Sequence, residues 1–344
     1  MCEARRTAGG GTQVAEGGQA GTMTTEQPGP TEPGAQPVIV SVDVEDWYHG
    51  PSVAARHDTR QTLAAVLAAT PDPERGWRYL EPVLELLSRH AIRATFFWVA
   101  EYAQRFPELL KKTAAAGHEI ACHGLTHVPK IDPRTGRPLF TRAEFAARTA
   151  MARDLLQDLS GQPVTGYRAP NAYVAGWMLD VLEELGFQYD SSVSVNSIYN
   201  KTDSRLAGVD SRPYFPVRGE LRRSAEPRGL IEFPWPYWQL GGIKIQSAGG
   251  PYLRFFGSRL VLAGLRQSLR RGPAVFYFHP VDLCREKIPL PFSWRRPWLW
   301  LFKGDLVRRR IERVLGAVAP RTTCFRAIMD DTRRQLLAST PAHC

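Results

Sequence analysis

The chain has 344 residues, 43% hydrophobic and 23% charged, which fits a folded globular protein and excludes a fibrous or wholly disordered one. No apolar run approaches the ~20 residues a membrane-spanning helix needs, and the five scattered cysteines form no CxxC pair, which argues against a zinc knuckle or a disulfide framework. A net charge of +10 favours contact with anionic surfaces.

Residues 1–37 are rich in Gly, Thr, Pro, Gln and Ala and carry almost no large apolar side chains, so they are predicted to be a disordered tail. No apolar leader is visible in them, and a cytoplasmic, reducing location is expected. From Val38 the pattern changes. Val38 to Asp43 predicts a buried strand, and Trp77 to His90 a helix with Leu80, Val83, Leu84 and Leu87 on one face. Arg93 to Val99 predicts a second strand, Pro107 to Ala116 a helix, and His118 to Cys122 a third strand. A helix follows over Thr141 to Leu159, opened by Thr141 and Glu144 at capping-box spacing and closed before Gly161. Val164–Tyr167, Phe187–Asp190, Leu230–Phe233 and Val275–Phe278 predict further strands, with helices over Ala175–Leu185 and Arg254–Arg271. Strands alternating with helices imply parallel pairing, and about seven of them suggest an α/β fold closed into a distorted, partly open (β/α) barrel. The expected division is the tail (1–37), a barrel (38–284) and a basic C-terminal extension packed on it (285–344).

Barrel chemistry sits on the loops after the C-terminal strand ends. Five such ends carry ionisable groups: Asp43, Glu45 and Asp46; His123-Gly-Leu-Thr-His127; Arg168-Ala-Pro-Asn; Asp190-Ser-Ser; and His279-Pro-Val-Asp282. Two histidines four apart on a helical turn face the same way and can hold one divalent ion; alone, they could equally be two hydrogen-bonded loop residues. A carboxylate from the first strand would complete two imidazoles and one carboxylate with open positions, suiting zinc or another divalent ion that takes nitrogen and oxygen ligands. Asp43 and Glu45, two apart on a strand, point to the same side, so one can bind metal while the other accepts a proton from an attacking water. Arg168 would hold Asp43 ionised, His279 would act as a general acid, and a backbone N–H at Asn171 could face a developing oxyanion.

Taken in order, Ser41-Val-Asp43-Val-Glu45-Asp46, ATFFWV, AAGHEIACHGLTH, GYRAP, YDSS and FHP resemble the polysaccharide deacetylase family (NodB-homology, carbohydrate esterase 4), over roughly residues 38–330. Within that family the chain is similar to the branch found beside exopolysaccharide loci of bacteria with exosortase systems. The resemblance implies a distorted barrel, a divalent metal (often zinc), and removal of N-acetyl groups from hexosamines of a glycan. It implies Asp43 as the base, His123 and His127 as metal ligands, Arg168 as the partner of the base and His279 as the acid. Many members carry two adjacent aspartates on the first strand; here Val44 takes the second place, so Glu45 is assigned to the metal, with Asp46 as the fallback.

An N-acetylated glycan is therefore the expected partner, with no nucleic acid. Hydrolysis of a small non-sugar amide, or glycan binding without catalysis, are the alternatives. The aromatics Phe233, Trp235, Tyr237 and Trp238 suit either a sugar-stacking groove or closure of the barrel. Trp and Arg mix over residues 292–304 and are followed by Arg308, Arg309 and Arg310, a pattern that suits either a helix packed on the barrel or peripheral contact with an anionic membrane.

Overall fold

The computed structural model describes residues 36–49, 74–132, 135–196, 202, 206, 208–286 and 302–339. Residues 1–35 of the predicted tail and the part of the Trp/Arg stretch before Phe302 lie outside the described residues. Along the chain the strands are β1 (Val38–Val44), β2 (Thr95–Trp98), β3 (Glu119–Cys122), β4 (Gly166–Tyr167), β5 (Tyr189–Asp190), β6 (Ile231–Glu232), β7 (Tyr237–Leu240), β8 (Ile243–Gln246), β9 (Ala274–Phe278) and β10 (Thr322–Thr323). The helices are α1 (Arg75–Arg89), α2 (Ala100–Arg105), α3 (Pro107–Ala115), α4 (Arg142–Ser160), α5 (Gly176–Glu184), α6 (Pro251–Leu269), α7 (Pro280–Leu283), α8 (Asp305–Val318) and α9 (Phe325–Ser339).

Seven strands run β9-β1-β2-β3-β4-β5-β6, every pair parallel, and no ladder joins β6 to β9 among the described residues. This is the partly open (β/α) barrel expected from the sequence. All seven residues of β1 are buried, as its Val-Ile-Val opening demands of a strand covered on both faces. Val38, Val40 and Val42 face a layer that includes Leu80, Val83 and Leu87 of α1, while Ile39 faces the barrel interior with Phe97, Tyr189, Phe233 and Tyr277. Alternate residues therefore supply the two cores, as strand geometry requires.

The short strand β10 pairs with Val38 and Ile39 on the edge of β1 whose upper part, from Ser41 on, pairs with β2. Directly after it, Phe325 enters the interior, stacking on Tyr189 with centroids 4.6 Å apart and meeting Phe97 and Phe233 edge-on. Its backbone N–H and that of Arg326 donate to Thr95 Oγ1 and Glu119 Oε2, both at the N-terminal starts of their strands. The C-terminal helix thus closes the end of the barrel opposite the strand tips that carry the charged groups.

The HGLTH segment departs from its sequence reading. It is an irregular loop, not a helical turn, with Gly124 at φ 80° and His127 at φ 52°. The backbone enters it as an extension of β3, His123 N–H donating to Trp98 O at 2.8 Å. No helix among the described residues is long and apolar enough to cross a membrane.

Candidate active site

Asp43 is the last residue but one of β1, Glu45 follows that strand, His123 follows β3, Arg168 follows β4 and His279 follows β9. All five are therefore delivered to one end of the parallel sheet. Glu45, His123 and His127 each offer one ligand atom within 4.8 Å of the others. His123 Nδ1 lies 2.8 Å from the Arg168 carbonyl, which can only accept, so the ring donates there. Burial lowers the His123 pKa to about 4, with Asp43 opposing, so the ring is neutral and its Nε2 carries a lone pair. That Nε2 stands 3.1 Å from His127 Nε2, and His127 Nε2 touches the Glu45 carboxylate. Burial raises the Glu45 pKa, but His127, then His279 and His123, outweigh it and hold the carboxyl well below its usual range. Two ring nitrogens and a carboxylate, converging in a buried place with one tautomer fixed by a carbonyl, are a donor set that fits a divalent ion.

Asp43 lies beside this group and is 3% exposed. Its Oδ1 accepts from Arg168 Nη1 at 2.6 Å. The guanidinium of Arg168, fully buried, spends its other donors on Ser41 Oγ, Ser191 O and Ser191 Oγ and lies 4.1 Å from the centre of the Phe97 ring. Such a buried pair holds its geometry because each member would be a stranded charge without the other.

On the far side, His279 Nε2 is 3.5 Å from Glu45 Oε1. His279 Nδ1 lies 3.1 Å from Asp282 Oδ2, and the His279 backbone N–H donates to the same oxygen at 2.8 Å. Burial would lower the His279 pKa; the bond to Asp282 and its charge, then Glu45 and Asp43, outweigh it and raise it to about 9.

Asp46, the fallback ligand, is engaged elsewhere. Arg75 Nε pairs with it at 2.9 Å and the Trp47 N–H donates to its Oδ1 at 2.7 Å. Burial pushes its pKa up to about 6, Arg75 opposing. Asp190 is also turned away, accepting from the Ser192 hydroxyl at 2.8 Å, and Glu232 accepts from the Val193 N–H at 2.9 Å. Asn171 and its neighbour Ala172 both sit at φ 58°, in the turn that follows Arg168.

Three residues of the surroundings went unassigned in the sequence. Ser191 anchors Arg168, Arg75 diverts Asp46, and Arg254 pairs with Asp282. The Asp190-Ser-Ser run was visible, but the role of its first serine depends on β4 and β5 being neighbours. The aromatic run packs inward: Phe233, Trp235 and Tyr237 are all buried, Trp235 lies against Tyr277 at 4.6 Å, and its Nε1 donates to Ser191 O. Closure of the barrel, one of the two readings of that run, describes these three.

A profile described as "Polysaccharide deacetylase" matches residues 68–189, and a second, "Domain of unknown function (DUF3473)", matches residues 194–325. The first contains His123, His127 and Arg168, and the second contains His279. The chain carries a polysaccharide deacetylase domain. Among curated proteins it is similar to a peptidoglycan deacetylase of Helicobacter pylori, 29% identical over 114 residues that make up 33% of this chain and 36% of that protein. A chitooligosaccharide deacetylase of Bradyrhizobium sp. is 32% identical over 102 residues, 29% of this chain and 42% of the relative. The matches thus span less than half of either relative. Among solved structures, a Mycobacterium smegmatis protein assigned to the polysaccharide deacetylases aligns over 90% of this chain and 95% of its own, with a TM-score of 0.54 and 19% identity. An allantoinase aligns with a TM-score of 0.50 and 16% identity, over 93% of this chain and 96% of its own. Both likenesses are of fold.

Proposed function

We propose that this protein is a metal-dependent hydrolase that removes N-acetyl groups from hexosamine units of a cell-surface or exopolysaccharide glycan or its precursor. The observation that carries the reading is the convergence of Glu45, His123 and His127 on one point, with Asp43 near enough to act on the charge of His123 and His279 Nε2 3.5 Å from Glu45 Oε1. Glu45, His123 and His127 would hold the ion, and the two-nitrogen, one-oxygen set favours zinc. When bound, the ion supplies a Lewis acid for the acetyl carbonyl. Asp43 takes the proton of the attacking water: Arg168 ties up its Oδ1, leaving Oδ2 for the proton. His279, facing the same space through Nε2, returns a proton to the departing amine. The likeness to a chitooligosaccharide deacetylase and a peptidoglycan deacetylase supports an N-acetylglucosamine polymer as the substrate class.

The test is metal content together with acetate release from N-acetylglucosamine oligomers. About one equivalent of metal is expected in the purified protein. Asp43→Asn should keep the metal and lose at least ~10²-fold in acetate release, the usual contribution of a positioned base. His127→Ala should lose both. Acetate release at the wild-type rate from Asp43→Asn would overturn the assignment. Ring opening of a small cyclic amide, with no acetate from the oligomers, would make the protein an amidohydrolase of another substrate class.

A further inference from the structure

The stretch matched by the domain of unknown function ends in residues that hold the turn bearing His279. Asp282 lies in α7, a single helical turn, 1% exposed. One of its oxygens, Oδ2, serves His279 through both the backbone N–H and Nδ1. The other, Oδ1, accepts from Arg254 Nε at 2.5 Å, and Arg254 is itself 6% exposed. Arg254 is set near the start of α6, and that helix breaks three residues later: Gly257 adopts φ 72°, ψ 179°, a conformation open essentially to glycine alone. A break of this kind frees the carbonyls of the preceding turn from their helical partners. Arg310 of α8 occupies them. Its Nη1 donates to Leu253 O at 3.2 Å and also to Arg254 O, and a Cβ added to Gly257 would stand 3.7 Å from Arg310 Nε. A second hold acts on the turn itself: Gly304 N–H donates to Asp282 O at 2.9 Å and Lys303 Nζ to Cys284 O at 3.1 Å.

We propose that the segment from Lys303 to Arg310 is a positioning arm for His279, in which Arg310 fixes the backbone of Arg254, Arg254 fixes Asp282, and Asp282 sets the imidazole with Nδ1 donating and Nε2 facing the site. This rests on the reading of His279 as the proton donor. Arg254 and Arg310 are positioning residues; neither meets substrate. Asp282 must stay an unprotonated acceptor in a buried place, and a guanidinium fixed at its backbone does this without relying on a flexible side chain to find it. The arm also assigns an inward task to one arginine of the basic run: Arg308 pairs with Glu312, Arg310 turns to α6, and Arg309 is the exposed one of the three.

The experiment uses the full chain with metal bound. Arg310→Met is expected to lower kcat about tenfold with KM unchanged, since displacement of a reacting group by a fraction of an ångström costs rate rather than binding. Arg310→Lys, which can still donate to the carbonyls, should recover part of the loss, and the exposed neighbour Arg309→Met should behave as wild type. In parallel, two-bond ¹H–¹⁵N correlation spectra read the His279 ring, its signals assigned by their loss in His279→Gln. In wild type they should show an Nδ1–H held in a strong hydrogen bond; in Arg310→Met they should shift or broaden. Should Arg310→Met fail to fold, Arg310→Lys and Arg254→Lys carry the same two readouts. An unchanged ring signature in the folded variants, or a folded fraction turning over at the wild-type kcat, overturns the proposal. The ring signature can be read even if the wild-type protein releases no acetate, so failure of the arm and failure of the deacetylase reading give different results.

Discussion

Glu45 and Asp46 are neighbours of similar chemistry with opposite surroundings. Glu45 meets two imidazoles, and Asp46 meets Arg75. The sequence put Glu45 first and Asp46 second by resemblance alone; what separates their surroundings is Arg75, a residue brought back to the strand end by the start of α1. Asp46→Asn is expected to keep full metal content while leaving the guanidinium of Arg75 buried without its counter-charge, at a cost of about 3 kcal/mol, read as a lower urea midpoint. Loss of metal in that variant would show that Asp46, not Glu45, is the ligand. Lys130 makes a second prediction at this scale. It is 2% exposed, 4.8 Å from the centre of the Phe140 ring, and burial, with Arg148 adding to it, lowers its pKa to about 7. In the unfolded chain the same amine titrates near 10.4, roughly its ordinary value. Between these two values the unfolded state binds more protons, so stability should rise with pH across that window and be lowest below about pH 7. Lys130→Met should flatten this part of the pH–Tm curve and raise Tm at pH 6. A curve of unchanged slope would show that another group carries it.

Elements with a local signature were legible in the sequence, and those whose signature depends on tertiary contact were not. Thr141 and Glu144 form the capping box their spacing predicts, with Thr141 N–H donating to Glu144 Oε2 at 2.8 Å and Glu144 N–H to Thr141 Oγ1 at 3.2 Å. The helix ends with Gly161 in the left-handed conformation, φ 66°. Thr141→Ala should therefore cost about 1 kcal/mol, measurable in urea, and leave turnover unchanged, because Thr141 lies at the exposed start of α4 and is not one of the clustered residues Glu45, His123 and His127. The hairpin of β7 and β8 was missed although Gly241-Gly242, set between alternating apolar residues, is a turn signal. Strand β10 has two residues and no pattern of its own; it exists because the lower edge of β1 is otherwise unpaired. The histidine loop fails differently. A spacing of four suggested a helical turn, yet the rings meet across a loop with two left-handed residues, because β3 must continue far enough for His123 to reach Trp98 O. The convergence of the pair was readable; the backbone that produces it was not.

At the scale of the whole barrel, the residues after 302 act at both ends. At the strand tips, Gly304 and Arg310 hold the turn of His279; at the strand starts, Phe325 fills the interior against Tyr189, Phe97 and Phe233. Glu119 links this second contact to the sheet, accepting from Thr95 Oγ1, the Arg326 N–H and the Tyr189 hydroxyl. The two contacts should therefore separate by experiment. Phe325→Ala removes a fully buried ring from a close-packed core and should cost about 3–5 kcal/mol in urea unfolding. Lying at the end of the barrel away from Glu45 and His279, it should leave kcat per folded molecule as in wild type. Arg310→Met should show the converse, a small change in urea midpoint with a large change in kcat. If Phe325→Ala instead lowered kcat in the folded fraction, the interior core would be transmitting strain from one end of the strands to the other, and the division of labour within the C-terminal segment would not stand.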